Sequence, residues 1–393
     1  MFSKQGRSRS AAGVGRIAAR PVQPVTYGTN YAETGDSMKL LVRTTNWLGD
    51  AVMSIPALRE IRGAFPGWEI TLLARPWVAD LYAREDFGDH ILRYENHGRH
   101  QGLSGKWKLA AQLRQTRFDC AILLPNAFDA ALIAWLARIP RRIGYARDAR
   151  GPLLTDAIAL PPKGSLPAHE RFYYLELLRR AGLIEQLPDC PDIRLSGAAR
   201  AAESGREEWK RRKLAAKRWI GVSPGAAYGG AKRWAPERFA EAAAVLASEL
   251  DAGIAFFGSK AEAELCGWIA DRAGPQAHNL AGTTSLAEFI DLAATCTVYL
   301  TNDSGPMHVA AALGIPTVAV FGATDHIATG PVSERACVVR EPVDCSPCLL
   351  RECPIDHRCM ERVTSSKVVD EALLLLANAR VKPSGPRPSV PAS

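Results

Sequence analysis

Short apolar runs alternate along this chain with longer stretches of helical spacing, and several runs end in polar, glycine-containing loops. The runs at 39–42, 70–73 and 120–124 are separated by segments such as 51–65, in which apolar residues recur with a helical period. The alternation restarts at 220–223. Strands alternating with helices predict a parallel sheet covered on both faces, and the restart predicts two such units.

The predicted fold class is therefore α/β, with two Rossmann-like, doubly wound domains at 38–195 and 196–380. Residues 1–37 and 381–393 are rich in small residues, Arg and Pro without periodicity, and we expect both segments to be disordered. Met38, which stands directly before the first predicted strand, is a candidate natural start.

Composition and charge narrow the class of protein. The net charge of +8 and the pI near 9.1 favour an acidic partner, such as nucleic acid, anionic lipid or a phosphorylated substrate. The Lys and Arg residues are scattered, without the basic block of a nucleic-acid-binding tail. No apolar stretch is long enough to span a membrane, and the N-terminus lacks an apolar signal region. The odd number of cysteines, nine, favours a reducing cytoplasm over a disulfide scaffold.

The segment 302–308, Asn-Asp-Ser-Gly-Pro-Met-His, follows a predicted strand at 298–300 and opens an Ala-rich helix. Ser304 is a candidate N-cap, and Pro306 suits the first turn. A strand that turns directly into a helix presents free backbone N–H groups, which bind phosphates. The alternative is that Asp303 and Ser304 only cap the helix.

Two further loops follow the first predicted strand of each unit. Residues 46–50, Asn-Trp-Leu-Gly-Asp, end in Asp50, which is either a general base for a substrate hydroxyl or a helix N-cap. Residues 223–234 are Gly-rich and contain Lys232, which is either a phosphate ligand or part of an exposed basic loop anchored by Trp234.

A cysteine-rich segment near the C-terminus has spacings that allow a zinc site, although buried, reduced thiols are the favoured interpretation. Its candidate ligands are Cys345, Cys348, Cys353, His357 and Cys359. The chain contains no Walker A motif and no dinucleotide-binding glycine fingerprint after a predicted strand. No two aspartates lie two positions apart, so the Asp-x-Asp signature of metal-dependent sugar-nucleotide enzymes is also missing.

The order and spacing of these motifs resemble the ADP-heptose:lipopolysaccharide heptosyltransferases of glycosyltransferase family 9, especially the heptosyltransferase II group. The resemblance covers about residues 38–370. It departs from the family pattern after Trp234, where Ala235 precedes the expected proline, Pro236. It implies a GT-B fold, in which an N-terminal acceptor domain and a C-terminal ADP-sugar domain face a central cleft.

The resemblance also implies an inverting, metal-independent transferase without a cofactor. Its implied donor is ADP-L-glycero-D-manno-heptose, and its implied acceptor is heptosyl-Kdo2-lipid A in the lipopolysaccharide inner core. By matching position, Asp50 is the catalytic base and Lys232 contacts the donor diphosphate. The remaining implied donor-binding residues are Asp303, Ser304, Gly305, Met307, His308 and Glu262. The acceptor-side candidates are Asn46, Trp47 and Arg142.

Such an acceptor implies a cytoplasmic protein with peripheral contact to the anionic inner membrane and no nucleic-acid partner. Three alternatives stay open at this point. The first is a family 9 enzyme with a different acceptor or nucleotide sugar. The second is a non-catalytic binding module for a nucleotide sugar or glycolipid. The third is a zinc-dependent interaction protein built around residues 345–359.

Overall fold

A computed structural model describes residues 38–381 of the chain, which contain two six-stranded sheets. The predicted N-terminal extension lies outside the described residues, as does the predicted tail except for Val381, where the last helix ends. The strands of the first sheet are β1 (Lys39–Arg43), β2 (Glu69–Ala74), β3 (His90–Arg93), β4 (Cys120–Leu123), β5 (Arg141–Tyr145) and β6 (Asp156–Ile158). Those of the second sheet are β7 (Trp219–Ser223), β8 (Gly253–Phe256), β9 (Ala277–Asn279), β10 (Val298–Asn302), β11 (Thr317–Val320) and β12 (Ala336–Val339).

Helices connect and cover these strands. Those between Leu48 and Arg180 are α1 (Leu48–Met53), α2 (Ile55–Ala64), α3 (Pro76–Tyr82), α4 (Gly102–Thr116), α5 (Phe128–Leu136) and α6 (Arg171–Arg180). Those after it are α7 (Ala198–Arg211), α8 (Pro236–Leu250), α9 (Ala263–Ala273), α10 (Leu286–Ala293), α11 (Gly305–Ala312), α12 (His326–Thr329), α13 (Arg358–Glu361) and α14 (Ser365–Val381).

Both sheets are entirely parallel and have the same connectivity. The first has the order β3-β2-β1-β4-β5-β6, and the second β12-β11-β10-β7-β8-β9. The central strands are buried along nearly their whole length, as expected for a sheet covered on both faces. In such sheets the ligand crevice lies at the carboxyl ends of the strands. The α/β fold class predicted from the sequence is confirmed.

The two halves share an apolar core. One buried cluster contains Leu58 and Leu177 from the first half together with Phe289 and Ile315 from the second. Helix α6 packs against α2, whereas α7 packs against α10. This change of partners falls between Arg180 and Ala198, and the domain boundary at 195/196 stays a prediction.

The helix predicted at 51–65 is divided into α1 and α2 at Ser54. Pro56 lies at the start of α2, where its missing N–H group leaves no helical hydrogen bond unmade, so the division has a local cause. Pro236 begins α8, as expected despite the intervening Ala235. Across residues 38–381, no helix is both long and apolar enough to cross a membrane.

Candidate active site

The amino end of α11 is free of side-chain caps. Ser304 occupies the N-cap position, but its hydroxyl bonds to the Thr301 hydroxyl at 3.1 Å and does not cap the helix. The predicted N-cap position of Ser304 is confirmed, but the alternative in which its side chain only caps the helix is wrong, because the hydroxyl bonds to Thr301 instead. The first-turn N–H groups of an uncapped helix are donors for an anion, so the position suits a phosphate.

Asp303 does not cap α11 either. Its Oδ2 atom lies 2.6 Å from Nζ of Lys232 and accepts a hydrogen bond from the Thr324 hydroxyl at 2.5 Å. Both side chains of the ion pair are largely buried, with exposed fractions of 14% for Lys232 and 5% for Asp303. The two sequence motifs that carry Lys232 and Asp303 therefore meet in one buried ion pair at the carboxyl edge of the second sheet.

Asn302 connects these motifs, although the sequence analysis assigned it no role. Its side-chain carbonyl accepts from the Trp234 N–H at 3.0 Å, and its amide donates to the Pro224 carbonyl at 2.7 Å. Trp234 itself is buried, and its indole N–H bonds to the Val363 carbonyl at 2.9 Å. The prediction that Trp234 anchors this loop is thus confirmed.

Glu262 lies beside the same loops. Its carboxylate packs directly over the α-carbon of Gly225, so a side chain at 225 would displace it. The same carboxylate accepts from the Ser259 N–H and hydroxyl, each at 2.8 Å. A cavity of about 310 Å³ adjoins the 223–234 loop and is lined by residues that include Pro224 and Arg233.

On the first half, Asp50 lies in the first turn of α1, and Trp47 occupies the N-cap position. Asp50 is therefore not an N-cap, and that alternative is wrong. Burial raises the pKa of the Asp50 carboxyl above its ordinary value, while a hydrogen bond with Tyr174 and the charge of Lys232 oppose the shift. A carboxylate with a raised pKa is a stronger base.

Asp50 has a second carboxyl near it, which the sequence analysis missed. The pKa of Glu170 is raised by burial and by the charge of Asp50. Glu170 directly precedes α6, and its N–H donates to the Ala328 carbonyl of the second half at 2.9 Å. No motif marks Glu170 or Tyr174, because both are far from Asp50 in the sequence and approach it only in the folded structure.

The amino ends of α1 and α11 contact each other. A Cβ atom at Gly49 would lie 3.1 Å from Cδ2 of His308, so the imidazole rests almost on the backbone of α1. Burial lowers the pKa of His308 to about 4. The charge of Asp303 opposes this shift to a smaller extent, whereas His169 and Lys232 lower the pKa further. His308 is consequently neutral at pH 7. The structure thus brings the 46–50 motif against the 302–308 motif at the carboxyl edges of both sheets.

The acceptor-side candidates are divided between two places. The Asn46 side chain accepts from Arg43 at 2.5 Å and from Arg75 at 3.0 Å, and Trp47 is 66% exposed beside it. Arg142 lies at the amino end of β5, the sheet edge away from Asp50, and donates to the Leu153 carbonyl at 2.7 Å. The structure does not bring Arg142 together with the other candidates.

The four cysteines of residues 345–359 lie close enough together that neighbouring thiols contribute to the raised pKa of Cys359, of which burial is the main cause. Cys345 is exposed, Cys348 and Cys353 are half-buried, and Cys359 is buried. Within residues 38–381, no group of three or more His, Cys, Asp or Glu side chains is arranged to hold a metal ion.

Comparisons with known proteins agree with this geometry. Residues 106–358 match the model of glycosyltransferase family 9 (heptosyltransferase). The chain is 34% identical over 312 residues to lipopolysaccharide heptosyltransferase 2 of Escherichia coli K12, covering 77% of this chain and 88% of the relative. It is 33% identical over 319 residues to lipooligosaccharide heptosyltransferase 2 of Haemophilus influenzae, with the same coverages.

The solved structure of E. coli ADP-heptose lps heptosyltransferase II superimposes with a TM-score of 0.75 and 30% identity, covering 87% of this chain and all of that chain. The family 9 glycosyltransferase from Veillonella parvula, at 22% identity, also has a TM-score of 0.75 and shares the fold. The chain belongs to glycosyltransferase family 9. The resemblance seen in its motifs is confirmed, and so is the GT-B fold that it implied.

In this family 9 glycosyltransferase, the described site combines three chemical capacities. Asp50 and Glu170 supply carboxylates on one side, Lys232 supplies a cation on the other, and the amino end of α11 supplies N–H donors beside Lys232. A base opposite a cation and oriented N–H groups can deprotonate a nucleophile and stabilise a departing anion.

Proposed function

We propose that the chain transfers heptose from ADP-heptose to the inner core of lipopolysaccharide, with inversion at the anomeric carbon. The observation that carries this proposal is the contact of α1 with α11 at Gly49 and His308, which brings Asp50 on the first half near Lys232 on the second. The similarity to heptosyltransferase 2 proteins supports the choice of donor and acceptor class.

In the proposed reaction, Asp50 accepts the proton of an acceptor hydroxyl while that oxygen bonds to the anomeric carbon of the heptose. The bond from this carbon to the β-phosphate oxygen breaks, and ADP leaves with the electron pair. Attack opposite the leaving group inverts the configuration. Lys232 and the first-turn N–H groups of α11 stabilise the charge that develops on ADP, so we propose that no metal is required.

The donor pocket in this proposal contains Asp303, Gly305, Met307 and His308. Asp303 orients Lys232 through their ion pair, whereas the buried Met307 and the neutral His308 form the floor beneath the helix amino end. Glu262, beside Gly225, is the proposed contact of the nucleoside. Asn46 and Trp47, in the loop leading to Asp50, are the proposed acceptor contacts.

The test is to incubate the purified protein with ADP-heptose and a heptose-deficient lipopolysaccharide core and to measure ADP by mass spectrometry. Asp50→Asn is expected to lower turnover by about 10²–10⁴-fold while donor affinity is retained, because a general base contributes in that range. Lys232→Ala is expected to weaken donor binding as well as turnover. The matched controls are Asp251→Asn and Lys217→Ala, whose exposed side chains pair with each other at the amino edge of the second sheet, away from the site.

Two outcomes would contradict the proposal. Near-normal turnover in Asp50→Asn would remove Asp50 from the role of base. Tight ADP-heptose binding without turnover on any core acceptor would indicate a different acceptor or a binding module.

We also propose a cytoplasmic location with peripheral membrane contact through a surface here called the tryptophan face. It comprises the exposed apolar side chains of α4 and α5 and the cations beside them: Leu103, Lys106, Trp107, Lys108, Arg114, Phe128, Trp135 and Arg138. A cavity of about 500 Å³ separates Trp107 from Trp135 and is lined by three arginines, including Arg142. Residues 102–142 contain seven Lys and Arg residues but only two Asp. Tryptophan with cations suits the interface of an anionic bilayer.

Sedimentation with vesicles tests this contact. We expect the protein to bind vesicles that contain phosphatidylglycerol and to bind pure phosphatidylcholine vesicles only weakly. High salt is expected to release the bound protein. The double variant Trp107→Ala/Trp135→Ala is expected to lose it, whereas Leu374→Ala, which removes an exposed apolar side chain of α14, is expected to retain it. Equal binding by both variants would contradict the proposed surface.

A further inference from the structure

The cysteine-bearing segment, residues 345–359, folds directly against the loop that carries Lys232. The Ala231 N–H donates to the Arg351 carbonyl at 2.9 Å, and the Gly230 N–H donates to the Glu352 carboxylate at 2.9 Å. The Tyr228 hydroxyl donates to the Leu349 carbonyl at 2.8 Å. Three successive contacts therefore fix the backbone of the Lys232 loop on this segment.

The approach of the two segments is very close at Gly229. A Cβ atom at this position would lie 2.2 Å from the Arg351 carbonyl oxygen, and the φ angle of Gly229 is 158°. Only glycine fits a position with this contact and backbone conformation. The loop and the segment consequently form one unit, and the side chain of residue 351 is carried to the edge of the donor site.

Arg351 and Lys232 both contact the aromatic ring of Tyr228. The Lys232 ammonium lies 4.8 Å from the centroid of the Tyr228 ring, and the guanidinium carbon of Arg351 lies 5.4 Å from the same centroid. The Arg351 side chain is exposed, and no carboxylate of the described residues forms an ion pair with it. Its charge is available to a ligand.

The proposed donor site needs a further positive charge to bind a diphosphate. Lys232 is already paired with Asp303 at 2.6 Å, so the pair carries no net charge. A leaving nucleoside diphosphate carries at least two negative charges, which the N–H dipoles of α11 stabilise only in part. A guanidinium can bind phosphate oxygens in a bidentate manner and keeps its charge at any physiological pH.

We propose that Arg351 is a second diphosphate-binding cation, brought to the donor site by the cysteine-bearing segment. This inference rests on the proposed function, because it takes Lys232 to contact the donor diphosphate. It assigns a role to the cysteine-rich motif, which presents Arg351 and supports the Lys232 loop.

Calorimetric titration with ADP, AMP and adenosine tests the assignment. Arg351→Ala is expected to weaken ADP binding about tenfold, as for loss of one charge-assisted hydrogen bond. The loss is expected to be smaller for AMP and absent for adenosine. Arg351→Lys is expected to recover part of the ADP affinity. The backbone contact to Ala231 is unchanged in both variants, because it uses the carbonyl of residue 351.

Arg358→Ala is the matched control, because Arg358 lies in the same segment but pairs with Asp356 at 2.9 Å. Its ADP affinity is expected to equal that of the unchanged protein. Normal ADP affinity in Arg351→Ala would overturn the inference and leave the proposed function standing. Equal losses for ADP and adenosine would also overturn it, since they would indicate an effect on the loop and not on the diphosphate. No ADP binding by the unchanged protein would refute the proposed function and the inference together.

Discussion

Asn302 allows a direct test of how the 223–234 loop, which carries Lys232, is fixed to strand β10. It is fully buried at the end of β10 and bonds to backbone groups at the two ends of the 223–234 loop, the Trp234 N–H and the Pro224 carbonyl. Replacement by Ala removes both bonds at once. The two backbone groups then remain buried without a partner, unless the 223–234 loop moves away from the strand.

The expected magnitude follows from these two bonds. A buried donor or acceptor that loses its partner costs about 1–3 kcal/mol, so Asn302→Ala is expected to lower the free energy of unfolding by about 2–6 kcal/mol. This is a large part of the total stability of an ordinary domain, about 5–15 kcal/mol. If the loop moves so that these groups reach water, the stability loss will lie at the lower end of this range. Donor affinity will then fall, because Lys232 belongs to the displaced loop.

Urea unfolding followed by tryptophan fluorescence measures the first quantity, and ADP titration measures the second. Asn279→Ala is the matched control. The Asn279 side chain makes the same pair of bonds, to the Ala263 carbonyl at 2.9 Å and from the Ala281 N–H at 3.0 Å, but it is exposed. Water can replace these bonds, so the control should lose less than about 1 kcal/mol. Loss of less than about 1 kcal/mol in Asn302→Ala, with normal ADP affinity, would refute the reasoning.

Three further changes test other parts of the site. Tyr174→Phe removes a hydrogen bond that lowers the pKa of Asp50, so that pKa should rise and the acid limb of kcat/KM should move to higher pH; a limb that stays in place or moves lower would contradict this. Gly49→Val places methyl groups against the His308 ring and should reduce turnover without unfolding the protein, and unchanged turnover would show that this contact is dispensable. Treatment with EDTA should leave turnover unchanged, because Lys232 and the α11 N–H groups are proposed to stabilise ADP, whereas a loss restored by added metal would contradict metal independence.

The sequence predicted the central strands and the loops that follow them, for a physical reason. Central strands of a parallel sheet are buried on both faces and appear as continuous apolar runs, such as those of β1, β7 and β10. The loops after them are marked by residues with strong local preferences, such as Gly49 and Pro224. Both signals are local, so they can be recognised without the tertiary structure.

The four strands that the sequence analysis missed, β3, β6, β9 and β12, are the edge strands of the two sheets. Each has only three or four residues and is partly exposed, as in β3, where no residue is buried. An edge strand is covered on fewer sides, so it needs no continuous apolar run. Its position depends on the neighbouring strand, which the local sequence does not encode.

The site residues divide in the same way. Asp50, Lys232 and Asp303 lie in loops with recognisable motifs, whereas Glu170 and Tyr174 lie at the start of a helix that looked merely amphipathic. Both approach Asp50 because α6 packs against α2, which directly follows the helix that carries Asp50. A contact between helices that are distant in the sequence leaves no local signal there, so it was found only in the structure.

The position of the base relative to the donor cation therefore depends on the contact between the halves and not on either sheet alone. Gly49 and His308 set how closely α1 approaches α11, and this approach brings Asp50 within electrostatic reach of Lys232. If the halves separated, Asp50 would gain water and lose the neighbouring ammonium. Its pKa would then return toward the ordinary value, because burial is the main cause of the shift. The contact between the halves thus raises the pKa of Asp50 and, in the proposed reaction, holds this carboxyl opposite the leaving group.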